Sequence, residues 1–274
     1  MKKRELVKSG IAGLDRMLAG GFSRGASITL SGPTGCGKST LAMEFLINGA
    51  EIYGEKGLYI ALEESRDTTF SNFGSYNWDI EKLESEKKLL FLDYPISEVD
   101  QFLAKNGAIE ELISTMGIER VVVDSMMPIA LLFHSEDERQ SGFLRLVDAI
   151  RKWGTTTLIV SEDTAATTPD VMPRTKHGME SLTEGWIHMY SLYDGHGGRV
   201  RALEVLKMKG VAHMSKIAPL RITSDGIVVS VEGKEDVPEA EKPGHPGKAE
   251  KPNKAEKPAE KEKPVRKKLA FEDI

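Results

Sequence analysis

The chain has 274 residues, 40% hydrophobic and 29% charged, with a formal net charge of -5, enough apolar material for one large core or two small ones. Its longest apolar run, residues 126–133, is interrupted by Pro128 and falls far short of the roughly 20 residues of a transmembrane helix. A single cysteine excludes an intrachain disulfide and suits a reducing cytoplasm, and the charged opening Met1-Lys2-Lys3-Arg4 lacks the apolar stretch of a signal peptide.

The first β-type run is Ser27-Ile28-Thr29-Leu30, followed by a helical pattern over residues 39–53. A second run, Gly57-Leu58-Tyr59-Ile60-Ala61-Leu62, leads into Glu63 and Glu64, and Leu89-Leu90-Phe91-Leu92 makes a third. A helical pattern over 99–116 precedes Arg120-Val121-Val122-Val123-Asp124. Another over 138–153 precedes Thr155-Thr156-Thr157-Leu158-Ile159-Val160. Continuous apolar strands alternating with helices predict an α/β fold with a mostly parallel sheet covered on both faces. After residue 185 the pattern changes to strands alone, over 186–193, 200–207 and 220–231, with Asp194-Gly195-His196-Gly197-Gly198 as a hairpin signal. The sheet is therefore expected to end in antiparallel strands.

The end of the chain differs in composition. Residues 234–268 hold ten Lys and one Arg against seven Glu and one Asp, and six of the twelve prolines fall between Pro238 and Pro264. With no Leu, Ile, Phe, Tyr or Trp between Val237 and Val265, nothing there offsets the entropy of ordering the backbone. Residues 233–268 are read as a disordered linker, and Leu269-Ala270-Phe271-Glu272-Asp273-Ile274 as a possible short docking motif for a protein partner. The remaining body, residues 1–232, is acidic, which argues against a nucleic-acid platform.

Gly32-Pro33-Thr34-Gly35-Cys36-Gly37-Lys38-Ser39 matches the pattern G-x-x-x-x-G-K-[ST] between a β-type run and a helix. Its glycines aim backbone N–H groups inward as an anion nest on a helix N-terminus. Lys38 is then expected on the β- and γ-phosphates of ATP, the Ser39 hydroxyl on Mg²⁺, and Thr40 beside them. Asp124, ending a β-branched strand, is expected at the carboxyl edge of the sheet, holding Mg²⁺ through water. Glu63 or Glu64, at the same edge, can serve as general base, the other reading of the pair being a cap on the next helix. Cys36 is read as a small loop residue, and the six histidines show no metal spacing.

Ser9-Gly10-Ile11-Ala12-Gly13-Leu14-Asp15, Gly20-Gly21-Phe22-Ser23-Arg24-Gly25, the phosphate loop, Tyr59-Ile60-Ala61-Leu62-Glu63-Glu64-Ser65 and Leu203-Glu204-Val205-Leu206-Lys207-Met208-Lys209-Gly210 together resemble the KaiC-like ATPases of the RecA superfamily. The resemblance spans about residues 7–231, one domain of the kind found singly in archaea. It implies a RecA-like fold, slow Mg²⁺-dependent ATP hydrolysis and a homo-oligomer, hexameric, with ATP held between subunits. It also implies that Glu63 is the catalytic base with Glu64 beside it, and that Lys207 reaches the γ-phosphate of the neighbouring subunit. Met208, Lys209 and His213 fall at nucleotide-contacting positions, as do Ser75 and Thr223. Lys209 stands where the family often has arginine, so the planar fork is lost. Glu180, Ser181 and Thr183 lie where the clock protein autophosphorylates, a reaction most family domains lack. Two other readings stay open, a nucleotide-binding regulator with negligible hydrolysis, as in the archaellum motor, and a recombinase paralogue acting on DNA.

Overall fold

The computed structural model describes residues 5–104, 106–162, 172–193 and 198–231, all of them in the unit Met1–Gly233. The linker and docking motif expected over 233–274, and residues 194–197 of the expected hairpin turn, lie outside the described residues.

Two short strands, β1 (Leu6–Val7) and β2 (Phe22–Ser23), pair antiparallel around the helix α1 (Ala12–Met17). Asp15 of α1 accepts from the Ser9 and Gly10 main-chain N–H groups at 2.7 and 3.1 Å, so the lead-in stretch of the sequence closes its own turn. Strand β3 (Ser27–Gly32) is buried along its whole length, and α2 (Lys38–Ile52) follows it, buried from Leu41 to Ile47. Next come β4 (Lys56–Ala61), α3 (Arg66–Asn72), α4 (Ile80–Ser85) and β5 (Leu89–Asp93). The expected helix over 99–116 is described as α5 (Val99–Ala104) and α6 (Asn106–Met116), on either side of Lys105, which lies outside the described residues. Strand β6 (Ile118–Asp124) leads into α7 (Met127–Leu131) and α8 (Glu136–Lys152). Helix α8 starts two residues before the apolar periodicity because the Ser135 hydroxyl accepts from the Glu138 N–H, with three acids in the first turn and Arg151 and Lys152 in the last. The chain continues through β7 (Thr156–Glu162), α9 (Met179–Leu182), β8 (Gly185–Tyr193), β9 (Arg199–Met208), β10 (Ala218–Thr223) and β11 (Gly226–Val229). The single strand expected over 220–231 is therefore a hairpin, turning at Ser224-Asp225 with Gly226 at φ +122°.

Among the described residues the main sheet has nine strands, in the order β11-β10-β9-β8-β3-β7-β6-β4-β5. From β8 to β5 every pairing is parallel, and β9, β10 and β11 run antiparallel, as the sequence predicts. One buried apolar layer packs α1 and α2 on one face, and a second packs α5, α6 and α8 on the other. The first strand of the parallel set, β3, lies between β7 and β8, so the carboxyl ends of β3, β7, β6 and β4 open onto one crevice, where α/β sheets bind ligands. Among the described residues no helix is long and apolar enough to cross a membrane.

Helix α2 is locked in place by two buried polar side chains, Arg120 and Glu44. Arg120 of β6, fully buried, donates to the Phe45 carbonyl at 2.8 Å and to Glu55 at 2.6 Å, with its guanidinium over the Phe45 ring. Glu44 accepts from the Ile227 main-chain N–H at 2.7 Å, tying the β10–β11 hairpin to α2. Burial pushes the Glu44 carboxyl up to about 7, against the opposing hydrogen bonds from Ile227 and Asn48. The folded-state value thus lies above the ordinary 4.5, so the folded chain holds a proton that the unfolded chain releases. Stability should therefore fall as pH rises through that interval and level off above it, by about 3 kcal/mol in all. Glu44→Gln keeps an acceptor for Ile227 and removes the titration. The melting difference between pH 5 and pH 8 is expected to shrink by on the order of 5 °C or more; parallel pH profiles for the two proteins would refute this assignment.

Candidate functional site

The phosphate-loop motif bridges β3 and α2. Gly32 sits at φ +150°, and a Cβ there would meet the Met189 carbonyl oxygen at 2.4 Å. Gly37, at φ +105°, is the N-cap of α2, and a Cβ there would press on Ile222 at 2.7 Å. Both positions therefore need glycine. The loop directs the first N–H groups of α2, together with the positive end of its dipole, at the crevice. Lys38 is only 8% exposed, and its Nζ donates to the Gly32 and Pro33 carbonyls at 2.8 and 3.0 Å. Cys36 is buried beneath the loop, where burial pushes its thiol up, so it stays protonated and unreactive.

A cleft of about 560 Å³ opens over the loop, lined by Thr34, Gly35, Gly37, Lys38, Ser39 and Thr40 together with Glu63 and Asp124. Asp124 ends β6, and its Oδ2 accepts from the Tyr59 hydroxyl at 2.5 Å. Desolvation pushes the Asp124 carboxyl up, against the hydrogen bonds from Tyr59 and Ser39 and the Lys38 charge. Burial and the adjoining carboxylate hold the Tyr59 phenol well above its ordinary value, so it remains a donor. No cluster of three or more His, Cys, Asp or Glu that could hold a metal exists among the described residues. The donor set of one carboxylate and one hydroxyl beside a phosphate loop nevertheless fits Mg²⁺, which keeps most of its water and takes its other oxygens from substrate phosphates.

The two acids have different hydrogen-bond partners but share a cavity with Ser39 and Asp124. Strand β4 stops at Ala61, and Glu63 and Glu64 lie on the following bend. Neither caps α3, whose N-cap is Ser65, with its side chain accepting from the Thr68 N–H. Glu63 accepts from the Ser125 hydroxyl and faces the cleft. Glu64 accepts from Asn72 at 2.9 Å and lines an adjoining cavity of about 220 Å³.

The structure adds cleft residues that the sequence does not single out: Tyr76, Ser125, Glu162, Arg201 and Ile222. Arg201, near the start of β9, donates to the Gly35 carbonyl at 3.2 Å. Its place depends on the register in which β9 returns along β8, with Arg201 opposite Ser191, and the hairpin signal at 194–198 does not encode that register. Tyr76 stacks on Trp78 at 4.3 Å, and its hydroxyl lies 3.4 Å from that of Thr40. Ser75 is exposed beside it. Asn77 then donates to Ser224 and Asp225 at 2.8 and 2.6 Å, joining this loop to the hairpin turn that carries Thr223. Ser75 and Thr223 thus flank the rim of the cleft rather than line it.

Lys207, Met208, Lys209 and His213 are not brought to this cleft. Met208 pairs with Gly185, and Gly185 with Ile28 at the amino end of β3, whereas the loop leaves β3 at Gly32. At 3.3 Å per residue, the two ends are on the order of 13 Å apart along the strand. The Lys207 ammonium donates to the Glu180 and Thr183 carbonyls at 2.9 and 2.6 Å, at the end of the sheet away from the loop. Burial, and next the Lys209 charge, lower its pKa. The Met208 side chain is 3% exposed within the apolar core. His213 lies in the β9–β10 loop with its Nδ1 3.2 Å from the Val211 carbonyl oxygen.

Comparison with known proteins agrees with this fold. Residues 7–234 match the family described as "ATPase: KaiC". A UPF0273 protein of Pyrococcus furiosus is 29% identical over 240 residues, covering 81% of this chain and 93% of the relative. The circadian clock oscillator protein KaiC of Prochlorococcus marinus subsp. pastoris is 29% identical over 231 residues. The match covers 81% of this chain but 44% of that protein, so the chain spans less than half the length of this clock relative. The crystal structure of a KaiC-like protein from Pyrococcus horikoshii superposes with a TM-score of 0.72 at 32% identity, over 84% of this chain and all of that one. With the phosphate loop, the parallel sheet and a match across 7–234 in agreement, the chain belongs to the KaiC ATPase family.

Proposed function

We propose that this protein is a Mg²⁺-dependent ATPase whose active sites form between subunits of a homo-oligomeric ring, hexameric by family resemblance. Its nucleotide state would act on a protein partner in the cytoplasm. One observation carries the reading: Lys38, Ser39, Glu63 and Asp124 converge on a single cleft over a helix N-terminus. In this reading the α2 N–H groups cradle the phosphates, and Lys38 exchanges the Gly32 and Pro33 carbonyls for the β- and γ-oxygens. Ser39, and Asp124 through water, would hold Mg²⁺, which when bound would offset the negative charge of the phosphates. Glu63, oriented by Ser125, takes the proton of the attacking water. Glu64, turned toward Asn72, supports the bend from the adjoining cavity.

The proposed division is an ATPase domain over 1–232, a linker over 233–268 and a docking motif over 269–274. Lys207 and Lys209 would then serve the neighbouring subunit, since their own cleft is at the other end of the sheet. Phosphate release from the full chain tests the reading. Glu63→Gln keeps size and hydrogen-bonding capacity but removes the base, so turnover is expected to drop by roughly 10²-fold while ATP still binds. Unchanged turnover would remove Glu63 from the mechanism, and joint loss of binding would mean that the acid holds the fold. A parent protein that binds ATP without releasing phosphate would be a nucleotide-binding regulator instead.

A further inference from the structure

Nothing in the phosphate-loop reading gives the Tyr59 hydroxyl any work, yet strand register delivers it to the cavity that adjoins the cleft, beside Asp124. Ala61 pairs with Asp124 and Tyr59 with Val122, and residues two apart on a strand share a face. Tyr59 is thus the diagonal neighbour of Asp124, about 7–8 Å away by the usual sheet geometry, a distance that a tyrosine side chain spans. The ring is only 2% exposed. It stacks nearly parallel on Phe91, its partner on β5, with centroids 5.0 Å apart and planes 6° apart. Phe91 in turn meets the edge of Phe70 at 5.4 Å, and the Arg66 guanidinium covers Phe70 at 4.1 Å. In this packing the phenol hydroxyl lies 2.5 Å from Asp124 Oδ2.

We infer that Tyr59 is a positioning residue for the Mg²⁺ site, its hydroxyl fixing the plane of the Asp124 carboxylate so that it meets the metal's water shell in one orientation. The inference rests on Asp124 being the metal-holding carboxylate. A hydrogen bond from a locked donor removes the carboxylate's rotational freedom before the metal arrives, and partners of this kind change metal affinity by about 10-fold or more. Sequence alone hides the role, because the hydroxyl and the carboxylate are 65 residues apart.

The test is a Mg²⁺ titration of full-length protein with a fluorescent ATP analogue, alongside direct Mn²⁺ binding followed by electron paramagnetic resonance. Tyr59→Phe keeps the ring stack and loses only the hydroxyl. It is expected to leave metal-free nucleotide affinity and melting temperature near the parent's while raising the Mg²⁺ half-point about 10-fold and weakening Mn²⁺ binding alike. Phe91→Leu, which loosens the ring, is expected to give a smaller shift of the same sign. Asp124→Ala separates the two readings. If it shifts the half-point and neither Tyr59→Phe nor Phe91→Leu does, the inference about Tyr59 is wrong and the Mg²⁺ reading stands. If Asp124→Ala shifts nothing, the Mg²⁺ reading fails and takes this inference with it. A Tyr59→Phe protein with a lowered melting temperature and an unmoved half-point would make the hydroxyl purely structural.

Discussion

Lys38→Ala is expected to weaken ATP binding by about a hundredfold or more, the loss that follows when a desolvated cation no longer meets phosphate oxygens. The ammonium lies at the base of the loop, held by the Gly32 and Pro33 carbonyls at 2.8 and 3.0 Å. Those contacts keep a buried charge satisfied without nucleotide, and the side chain needs only a small movement to trade them for phosphates. Alanine removes the charge while the N–H groups at the start of α2 remain, so residual binding should be weak rather than nil. The two carbonyls left behind sit at the edge of a cleft that water can enter, so the fold should survive with a modest loss in melting temperature. Titration with a fluorescent ATP analogue, checked by circular dichroism, measures both effects. Parent-level affinity in a folded Lys38→Ala protein would overturn the phosphate-loop reading, whatever the fate of hydrolysis.

How much of this was readable in advance depends on whether the physics is local. The loop is legible because its glycines answer constraints within a few residues: Gly37 must hold φ +105° where any other residue is strained. The β6 run ending in Asp124 is legible because strands covered on both faces are continuously apolar until they reach the site. Glu63 and Glu64 were visible as a pair, but which one faces the cleft is decided by Ser125 and Asn72, partners brought in by β6 and α3. Arg201 and Tyr76 are not legible as cleft residues: the hairpin signal announces the return of β9 but not the register that sets Arg201 opposite Ser191, and Tyr76 belongs to no motif. The short helices α3 and α4 escaped periodicity because six or seven residues make under two turns, and their N-caps at Ser65 and Asp79 are visible only once a helix is suspected. The hairpin at Ser224-Asp225 is hidden in the sequence although a Gly follows directly, because the flanking apolar residues read as one long run.

The location of Lys207 leads to an expectation of another kind, in which two defective proteins restore each other. Within one chain, the loop opens at the carboxyl end of β3, while Lys207 lies near the amino end, donating to the Glu180 and Thr183 carbonyls. A lysine there cannot serve its own loop without unravelling β9. It can serve the loop of a neighbour if subunits meet head to tail, the heterologous contact that closes rings. A cation supplied in this way stabilises the charge of phosphoryl transfer in the manner of an arginine finger, and makes turnover depend on assembly. Turnover per subunit should accordingly rise with protein concentration. Lys207→Ala subunits keep a working loop, and Lys38→Ala subunits keep a working Lys207, so each alone should be nearly inactive. In equal mixtures, about a quarter of the ring interfaces pair an intact loop with an intact lysine, and turnover should recover toward that fraction of the parent. Native mass spectrometry establishes that mixed rings form. Recovery to that level supports a lysine acting across the interface. Mixed rings with no recovery would mean that Lys207 acts in its own subunit or has no part in hydrolysis, and the interface reading would fall while the Lys38 result stood.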